Sequence, residues 1–520
     1  ASDTVRAARD AGQSLLLYAP IVHEDDFHAA VAYLVRRLDE STEPENFLSK
    51  SFAMAPGSAA FATEREKFEA ALDARALIPT ERFRCQDRRA RPVALPVGSP
   101  FENEADTDFS LAHNRSWAKE ALRAMLEAPP FELRGALEEA QRQRKRIEGF
   151  DPSRPAVVPY EITLADAGDV RHAIERAALA AKSWSATPAR ERERLLTRVA
   201  QELRARRGKL IAAMVLDGGK RVVEADTEVS EAIDFAEHYA RSHRELVCDP
   251  TLRVEPRGVA LVAPPWNFPL AIPAGGTFAA LVAGNPVLLK PALETPFVAS
   301  ELVDACHSAG IPANVLSLIV CEDDVGSELV RDPRISTVVL TGATSTARLF
   351  FEMRPDLALR AETGGKNAMV VTAMADRDQA IKHAVRSAFS HAGQKCSATS
   401  LLILEAEVYD DPSFRVRLAD ATRSLHVGSA WDPASVVTPL IRPAAGALLR
   451  ALTSLDEGEQ WLVEPRVDDA NPCLVHPGVK LGVRPGSFTH LTELFGPVLG
   501  VMRARDLDHA VELANATPYG

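Results

Sequence analysis

The chain is predicted to be an α/β protein built on a parallel sheet, and three observations support this prediction. From about residue 160 onward, short apolar segments of strand length alternate with longer segments of helical periodicity. Gly and Pro residues stand where these segments end. The residues that follow the apolar segments include types that carry acid–base and nucleophilic chemistry, and parallel sheets bind ligands at the carboxyl ends of their strands.

The composition is that of an ordinary globular protein and excludes several classes. Hydrophobic residues make up 46% of the 520 residues and charged residues 25%, which is enough apolar material for large cores. The formal net charge of −12 argues against nucleic-acid binding. No apolar run reaches the roughly 18 residues that a membrane span requires, and the first residues lack the apolar region of a secretory signal. We therefore expect a soluble cytoplasmic protein, with the mitochondrial matrix as the alternative location.

The cysteines indicate reduced thiols. Six of them are too few and too scattered for a disulfide scaffold, and none forms a Cys-x-x-Cys pair. We accordingly expect no metal site. Any one of the six could be a nucleophile, and its sequence neighbours must decide which.

The first 88 residues contain a predicted strand followed by a predicted helix. The strand is the apolar run 15–18, which Pro20 closes. Apolar residues at i, i+3 and i+4 spacing predict the helix over residues 26–40.

Residues 89–160 are rich in proline and charge, and we interpret them as a linker or arm. Two helices are predicted within it, one near 115–127 and the other near 133–147.

The following region supplies the predicted sheet. A helix is predicted to end at Gly284, and another to begin with Thr295 as its N-cap and Pro296 in its first turn. This second helix should stop near Gly310, and a later one should span 376–389. The predicted strands are 259–263, 287–289, 315–320, 337–340 and 368–371.

Six short motifs stand beside these strands in chain order: PWNFP (265–269), KPA (290–292), TGAT (341–344), ETGGKN (362–367), GQKCS (393–397) and ELFGP (493–497). Together they resemble the aldehyde dehydrogenase superfamily over about residues 150–520. The variant ETGGKN and the segment 486–502 resemble its L-glutamate-γ-semialdehyde dehydrogenase branch. The resemblance implies an aldehyde dehydrogenase-like fold, with a dinucleotide-binding domain at 161–361 and a catalytic α/β domain at 362–520.

Three residues in these motifs have the chemistry that aldehyde oxidation requires. Cys396 is the candidate nucleophile, because a thiolate attacks carbonyls and the adjacent Lys395 could favour the ionised form. Asn267 is the candidate donor to the resulting oxyanion, together with the Cys396 backbone N–H. Glu362 is the candidate general base that activates water to hydrolyse the thioester.

The resemblance also implies how NAD is bound. Lys290 would contact the adenosine ribose, while a helix N-terminus at the Gly342 turn would hold the pyrophosphate. The remaining expected cofactor residues are Thr344 and Ser345 in that turn, Glu493 and Phe495 at the nicotinamide ribose, and Trp266 and Pro264 in the pocket wall. Ser397 and Phe268 are the expected substrate contacts.

Three positions in or beside the cofactor motifs depart from the family pattern. Leu293 stands where the family usually has a glutamate, so the preference for NAD over NADP is open. Ala343 and Ala347 replace a Ser and a Gly often found in the phosphate turn. The glycine-rich loop that anchors an amino-acid substrate in the family is expected beyond Gly520.

The N-terminal helix carries a second resemblance. Tyr33, Arg36, Arg37 and Glu40 resemble the last helix of a proline dehydrogenase barrel, where paired arginines hold the substrate carboxylate. A proline dehydrogenase end followed by a semialdehyde dehydrogenase resembles the bifunctional proline utilization A family. This resemblance implies that residues 1–88 are a partial (β/α)8 barrel remnant, and that FAD would bind only where the barrel is complete.

The resulting hypothesis is NAD-dependent oxidation of L-glutamate γ-semialdehyde to L-glutamate, in a protein that forms homo-oligomers. Three alternatives remain at this point: an aldehyde dehydrogenase of another substrate class, a non-catalytic assembly domain, and a flavin-dependent proline oxidase. Substrate preference, NAD binding and a flavin spectrum, respectively, would distinguish them.

Overall fold

The computed structural model describes residues 3–12, 14, 22, 27–43, 46–51, 54–78, 80, 83–90, 100–134 and 144–519. The chain divides into two compact units, Ala1–Cys85 and Gln86–Gly520.

The described part of the first unit is helical. The predicted helix over residues 26–40 is confirmed, and the predicted strand 15–18 lies outside the described residues. The side chain of Ser58 caps the fourth helix by accepting a hydrogen bond from the Phe61 backbone N–H. The helices are α1 (Asp3–Asp10), α2 (Phe27–Thr42), α3 (Phe47–Ser51) and α4 (Ala59–Ala74), with a 3₁₀ turn at Arg75–Leu77.

Helix α2 exposes an apolar stripe. Phe27, Leu34 and Leu38 are 62%, 48% and 68% exposed, and their spacing of seven and four residues places them on one side of the helix. The described residues of its own unit therefore leave this stripe uncovered, whereas such a face normally packs against apolar partners.

The four residues of α2 that resemble a proline site lie at helical spacing. Tyr33 is half-buried, whereas Arg36, Arg37 and Glu40 are exposed. Arg37 forms an ion pair with Glu40, and its guanidinium lies 5.2 Å from the centre of the Tyr33 ring.

The second unit begins with a helix and a small mixed sheet. The helix predicted near 115–127 is confirmed as α5. The helix predicted near 133–147 is wrong at both ends, because both ends form strands. Residues 135–143, between those ends, lie outside the described residues. The strand at Tyr160–Thr163 pairs with both of these strands, parallel to Phe131–Arg134 and antiparallel to Arg146–Glu148. Such pairing between distant segments overrides local helical periodicity. The elements are α5 (Ala112–Leu126), β1 (Phe131–Arg134), β2 (Arg146–Glu148) and β3 (Tyr160–Thr163).

A layer of helices follows. The first begins with a capping box formed by Asp166 and Asp169. The third ends at Gly219, which has a left-handed backbone (φ 61°) and is followed by the buried Lys220. These helices are α6 (Ala167–Ala186), α7 (Ala189–Ala205), α8 (Arg207–Gly218) and α9 (Val222–Cys248).

The predicted parallel sheet is confirmed. Its five strands lie in the order β6-β5-β4-β7-β8, and every neighbouring pair is parallel. The central strand is buried because helices cover both faces of the sheet. The elements are β4 (Val259–Ala263), α10 (Ala271–Val282), β5 (Val287–Leu289), α11 (Pro296–Ser308), β6 (Leu316–Leu318), α12 (Asp323–Arg331), β7 (Ile335–Thr341), α13 (Thr344–Met353) and β8 (Leu359–Glu362).

The start of α11 differs from the sequence prediction. Thr295 occupies the N-cap position, but its side chain makes no capping hydrogen bond. The carboxylate of Asp217 in α8 accepts instead from the backbone N–H groups of Phe297 and Val298, at 2.9 and 3.2 Å. A cap supplied by a residue 80 positions away leaves no local sequence signal.

A second five-stranded sheet lies in the C-terminal part, in the order β11-β14-β15-β10-β9. All of its neighbouring strands are parallel except β11 and β14. The elements are β9 (Ala368–Val371), α14 (Arg377–Phe389), β10 (Leu401–Glu405), α15 (Ala406–Tyr409), α16 (Pro412–Arg423), α17 (Gly446–Thr453), β11 (Gln460–Val463), β12 (Arg466–Val467), β13 (Val475–His476), β14 (Gly478–Leu481), α18 (Phe488–Leu491), β15 (Val498–Ala504) and α19 (Leu507–Asn515), with a 3₁₀ turn at Ser390–Gly393.

Across the described residues, no helix combines the length and the apolar character that crossing a membrane requires. The same residues contain no group of three or more His, Cys, Asp and Glu side chains that could hold a metal ion.

Candidate active site

A cleft of about 490 Å³ opens at the carboxyl ends of β4, β5 and β7, where parallel sheets bind ligands. Of the expected cofactor residues, it is lined by Pro264, Trp266, Lys290 and Gly342. The sheet itself places them there, since each follows the end of a strand.

A second cavity of about 280 Å³ brings the candidate catalytic residues together. Five residues line both spaces, so the cavity and the cleft are continuous: Pro265, Trp266, Thr341, Gly342 and Ala343. The cavity is also lined by Asn267, Ile272, Glu362, Thr363, Gly364, Cys396, Glu493 and Phe495.

The nucleophile loop has an unusual backbone. His391, Ala392 and Gly393 adopt φ angles of 50°, 51° and 71°, which turn the chain sharply after α14. A Cβ at Gly393 would lie 2.4 Å from the Gly496 carbonyl oxygen, so no other residue fits there without a shift. Three residues later, Cys396 is exposed to the cavity.

Asn267 has the geometry of an oriented donor. Its side chain is 3% exposed, and Nδ2 donates to the Gln394 backbone carbonyl at 3.0 Å. A side-chain amide nitrogen carries two N–H groups, so this bond fixes the amide and leaves a second donor for an oxyanion in the cavity.

Glu362 ends β8 and carries an exposed carboxylate into the same cavity. Its backbone carbonyl accepts from the Gly342 N–H at 3.0 Å, which ties it to the end of β7. An accessible carboxylate in a cavity with a cysteine can activate water for attack on a thioester.

The sequence suggested that the charge of Lys395 would favour the thiolate of Cys396, but the Lys395 side chain binds elsewhere. Its ammonium group forms an ion pair with Glu224 of α9, at 2.5 Å. These residues are 171 positions apart, which explains why the pairing could not be foreseen.

Glu493 is held at the edge of the cavity by the ETGGKN segment. Its Oε1 accepts from the Gly365 N–H at 3.1 Å, and a Cβ at Gly364 would lie only 2.0 Å from Oε2, so a larger residue there would displace the Glu493 carboxylate. Burial raises the pKa of the Glu493 carboxyl, while the Gly365 N–H and Lys366 oppose that change. Burial lowers the pKa of Lys366 to about 7, and its Nζ donates to the Ser400 hydroxyl at 2.6 Å.

Two aromatic rings form one wall of the cavity. Phe495 has a left-handed backbone (φ 51°), and its ring meets Trp266 edge-on, with the centroids 5.6 Å apart and the planes at 85°. An apolar aromatic wall suits a planar ring such as nicotinamide, which can pack against an aromatic face or edge.

The expected adenosine end of the cleft is polar. Lys290 Nζ donates at 3.2 Å to Asp323 Oδ1, at the start of α12. This aspartate side chain is 98% exposed and lines the cleft, so a carboxylate lies beside Lys290 although Leu293 has none. A Cβ at Gly326 would lie 2.5 Å from Lys290 Cε, so glycine leaves the room in which that lysine lies.

The expected phosphate turn is present in modified form. Ala343 is the N-cap of α13 and makes no side-chain capping bond, so the first N–H groups of the helix are open to an anion. Thr344 and Ser345 lie in the first helical turn, yet the residues that line the cleft are Ala343 and Thr346. These donors, together with the Lys290–Asp323 pair and Glu493, fit a dinucleotide such as NAD.

The two expected substrate residues each follow a candidate catalytic residue in the chain, Ser397 after Cys396 and Phe268 after Asn267. Neither is among the residues that line the cavity. Ser397 is exposed beside Cys396. Phe268 is half-buried, and the ammonium of Lys220 lies 3.9 Å from its ring centre.

The other cysteines differ from Cys396. Burial raises the pKa of Cys306 to about 12, and that of Cys321 and of Cys473 to about 11, so these thiols stay protonated. Cys85 and Cys248 are exposed and line neither space.

Sequence reasoning missed several residues around the site. Thr346 stands two positions after the TGAT motif, and Asp323 stands three positions after the predicted strand 315–320, so those positions were an available signal. Lys220, Glu224 and Glu228 lie at least 39 positions from Asn267 and had no such signal.

Comparison with known proteins agrees with this geometry. Residues 139–520 match the aldehyde dehydrogenase family. The 1-pyrroline-5-carboxylate dehydrogenase of Geobacillus thermodenitrificans is 35% identical over 450 residues, which cover 81% of this chain and 85% of that protein.

Two solved structures are similar. The 1-pyrroline-5-carboxylate dehydrogenase from Thermus with bound NAD has a TM-score of 0.76 at 32% identity, covering 82% of this chain and 86% of that chain. Proline utilization A from Bdellovibrio bacteriovorus has a TM-score of 0.81 at 30% identity, covering 99% of this chain and 53% of that chain. From the matched motifs, the converging cavity and these similarities, the chain belongs to the aldehyde dehydrogenase family.

Proposed function

We propose that this chain oxidises L-glutamate γ-semialdehyde to L-glutamate with NAD, in proline catabolism. The observation that carries the proposal is the single cavity in which Cys396, Asn267 and Glu362 meet. A nucleophile, an oxyanion donor and a base are the three groups that oxidation through a thioester requires. The similarity to 1-pyrroline-5-carboxylate dehydrogenases over four fifths of the chain supports this substrate.

The chain's own residues account for each bond change. The Cys396 thiolate adds to the aldehyde carbon, and Asn267 Nδ2–H and the Cys396 N–H donate to the oxyanion that forms. When bound, NAD supplies the acceptor for the hydride that this carbon loses. Loss of hydride leaves a thioester on Cys396. Water attacks the thioester carbon while Glu362 takes one of its protons, and the carbon–sulfur bond breaks to release the carboxylic acid and the Cys396 thiolate. Glu362 then returns its proton to solvent.

The residues around the cavity hold the reactants in place. Glu493 would accept hydrogen bonds from the ribose hydroxyls of bound NAD, and the edge-on Trp266 and Phe495 rings would exclude water from one side. Ser397 lies beside the nucleophile, where it can donate to the substrate.

The test is NADH formation from the semialdehyde by the wild-type protein and by Cys396→Ser, with glutamate measured as the product. We expect one glutamate for each NADH from the wild type and a loss of at least about 1,000-fold in the variant. NADH formation by the variant at the wild-type rate would contradict the mechanism.

We further propose that residues 1–88 are the end of a proline dehydrogenase barrel in a bifunctional protein. The exposed apolar stripe of α2 and the Tyr33, Arg37 and Glu40 cluster support this proposal. So does the similarity to proline utilization A, of which this chain spans about half. FAD and proline oxidation would then belong to the complete barrel, and a full-length protein without flavin absorbance would contradict the idea.

The cellular setting is also part of the proposal. Free cysteines support a reducing, cytoplasmic location. Homo-oligomer formation is supported by β1, whose outer edge has no strand partner among the described residues. Light scattering of the full-length protein tests the oligomer, which a monomeric mass would contradict.

A further inference from the structure

A buried ion pair holds the loop that carries the oxyanion donor, both at the donor residue itself and at the start of the helix that follows. Lys220 Nζ donates to the backbone carbonyl of Asn267 at 3.0 Å and to Glu228 Oε2 at 2.5 Å. The other oxygen of Glu228 accepts from the backbone N–H groups of Leu270 and Ala271, at 2.7 and 3.0 Å. The pair thus connects Asn267, in the middle of the loop between β4 and α10, to the start of α10.

The burial of this pair indicates a role other than stability. Both side chains are 1% exposed, and removing two charges from water is costly even when they pair. The hydrogen bonds to Asn267, Leu270 and Ala271 join the pair to the Asn267 loop. The Lys220 ammonium also lies 3.9 Å from the ring centre of Phe268 in that loop. A pair retained at such cost, and directed at one loop, is well suited to fix the position of that loop.

The side-chain amide of Asn267 is held by the nucleophile loop. Asn267 Nδ2 donates to the backbone carbonyl of Gln394, two residues before Cys396. The Gln394 side chain is itself held, because Nε2 donates to the Pro439 carbonyl at 3.2 Å and Oε1 accepts from the Ile441 N–H at 2.8 Å. Asn267 is therefore held at two points, its backbone carbonyl by the ion pair and its side-chain amide by the nucleophile loop.

We propose that Lys220, held by Glu228, is a positioning residue that sets the Asn267 amide relative to Cys396. This inference rests on the proposed aldehyde oxidation. Lys220 acts through Asn267 and does not line the catalytic cavity. Its loss should lower kcat, because the oxyanion donor moves, and should leave NAD binding unchanged, because Lys290 and Glu493 belong to other segments.

A double-mutant cycle tests this dependence. Lys220→Met removes the charge and the donors while keeping an unbranched apolar stem. We expect kcat to fall at least about tenfold, with the dissociation constant of NAD, measured by calorimetry, unchanged within about twofold. In an Asn267→Ala background, the same substitution should change kcat by less than about twofold, since the residue through which it acts is gone. Equal effects of Lys220→Met in both backgrounds would overturn the proposal.

The chain offers a matched control in a second buried pair. Lys480 and Glu459 are 1% and 0% exposed, Lys480 Nζ donates to the Ser454 backbone carbonyl at 2.8 Å, and it lies 5.2 Å from the Trp461 ring centre. Lys480→Met should lower the melting temperature about as much as Lys220→Met and keep kcat within about twofold of wild type. An equal loss of kcat in both variants would assign the Lys220 effect to stability alone and overturn the proposal.

A substitute variant and the choice of aldehyde keep the test able to refute the proposal. If Lys220→Met does not fold, Glu228→Gln replaces it in the cycle with the same expectations, because it weakens the grip on the loop from the other partner. The cycle is run with whichever aldehyde the wild type oxidises. A wild type that rejects the semialdehyde but oxidises another aldehyde would contradict the proposed substrate without deciding the role of Lys220, which the cycle then decides.

Discussion

Asp217 is a buried carboxyl group whose replacement by asparagine should change how stability depends on pH. It is fully buried at the end of α8 and accepts from the Tyr160 hydroxyl at 2.6 Å, in addition to capping α11 through Phe297 and Val298. Burial raises the pKa of this carboxyl from its ordinary value of 3.8 to about 7, although the three hydrogen bonds oppose the change.

The magnitude follows from proton linkage. A carboxyl with a raised pKa binds its proton more tightly in the folded protein, so its stabilising contribution is fully present at low pH and declines as pH rises from 3.8 to about 7. Each unit of difference corresponds to about 1.36 kcal/mol. Between about pH 5 and pH 7, this group should therefore lower the free energy of unfolding by roughly 2–3 kcal/mol, with little further change above that range.

Asparagine removes the charge and can keep the contacts. Its carbonyl oxygen can accept from the Phe297 and Val298 N–H groups, and its amide nitrogen can donate to the Tyr160 oxygen. Asp217→Asn should therefore be more stable than the wild type near neutral pH. Asp217→Ala is the control, because it leaves three donors without an acceptor and should be destabilised at every pH.

The assay is urea unfolding of the wild type and Asp217→Asn at about pH 5, 6, 7 and 8, followed by circular dichroism. The difference in free energy of unfolding should shift in favour of the variant by roughly 2–3 kcal/mol between about pH 5 and pH 7. A difference that stays constant over this range would refute the reasoning.

Three further predictions concern the site. Glu362→Gln should give a rapid burst of about one NADH per site and then turnover slowed by roughly 100- to 10,000-fold, because the thioester forms but is not hydrolysed; stopped-flow absorbance checks this, and a missing burst would contradict it. Gly364→Ala should raise the dissociation constant of NAD at least about tenfold, because its Cβ displaces the Glu493 carboxylate; calorimetry measures this, and unchanged affinity would contradict it. Asp323→Asn should lower the preference for NAD over NADP by roughly fivefold, because one negative charge beside Lys290 no longer repels a 2′-phosphate; the ratio of the two dissociation constants checks this, and an unchanged ratio would contradict it.

Local patterns were sufficient where an element is determined by its own residues. The strands 259–263 and 287–289 were predicted with their observed bounds, because buried parallel strands are short apolar runs closed by Gly and Pro. The motifs placed Cys396, Asn267 and Glu362 after separate elements, and the sheet topology brings them to one cavity.

Local patterns failed where a distant partner decides the structure. Residues 131–134 and 146–148 form strands because β3 pairs with them, and helical periodicity carried no sign of that partner. In the same way, Asp217 replaces Thr295 as the cap of α11. Ion pairs between distant segments, such as Lys395 with Glu224, have no sequence signature either.

Substrate preference tests the central claim most directly. NADH formation by the full-length protein should be measured with L-glutamate γ-semialdehyde and with a simple aliphatic aldehyde at matched concentrations. We expect kcat/KM to favour the semialdehyde by at least about 100-fold, because a site built to bind the amino and carboxylate groups rejects an analogue that lacks them. Equal kcat/KM values would preserve the Cys396 chemistry and contradict the assignment to proline catabolism.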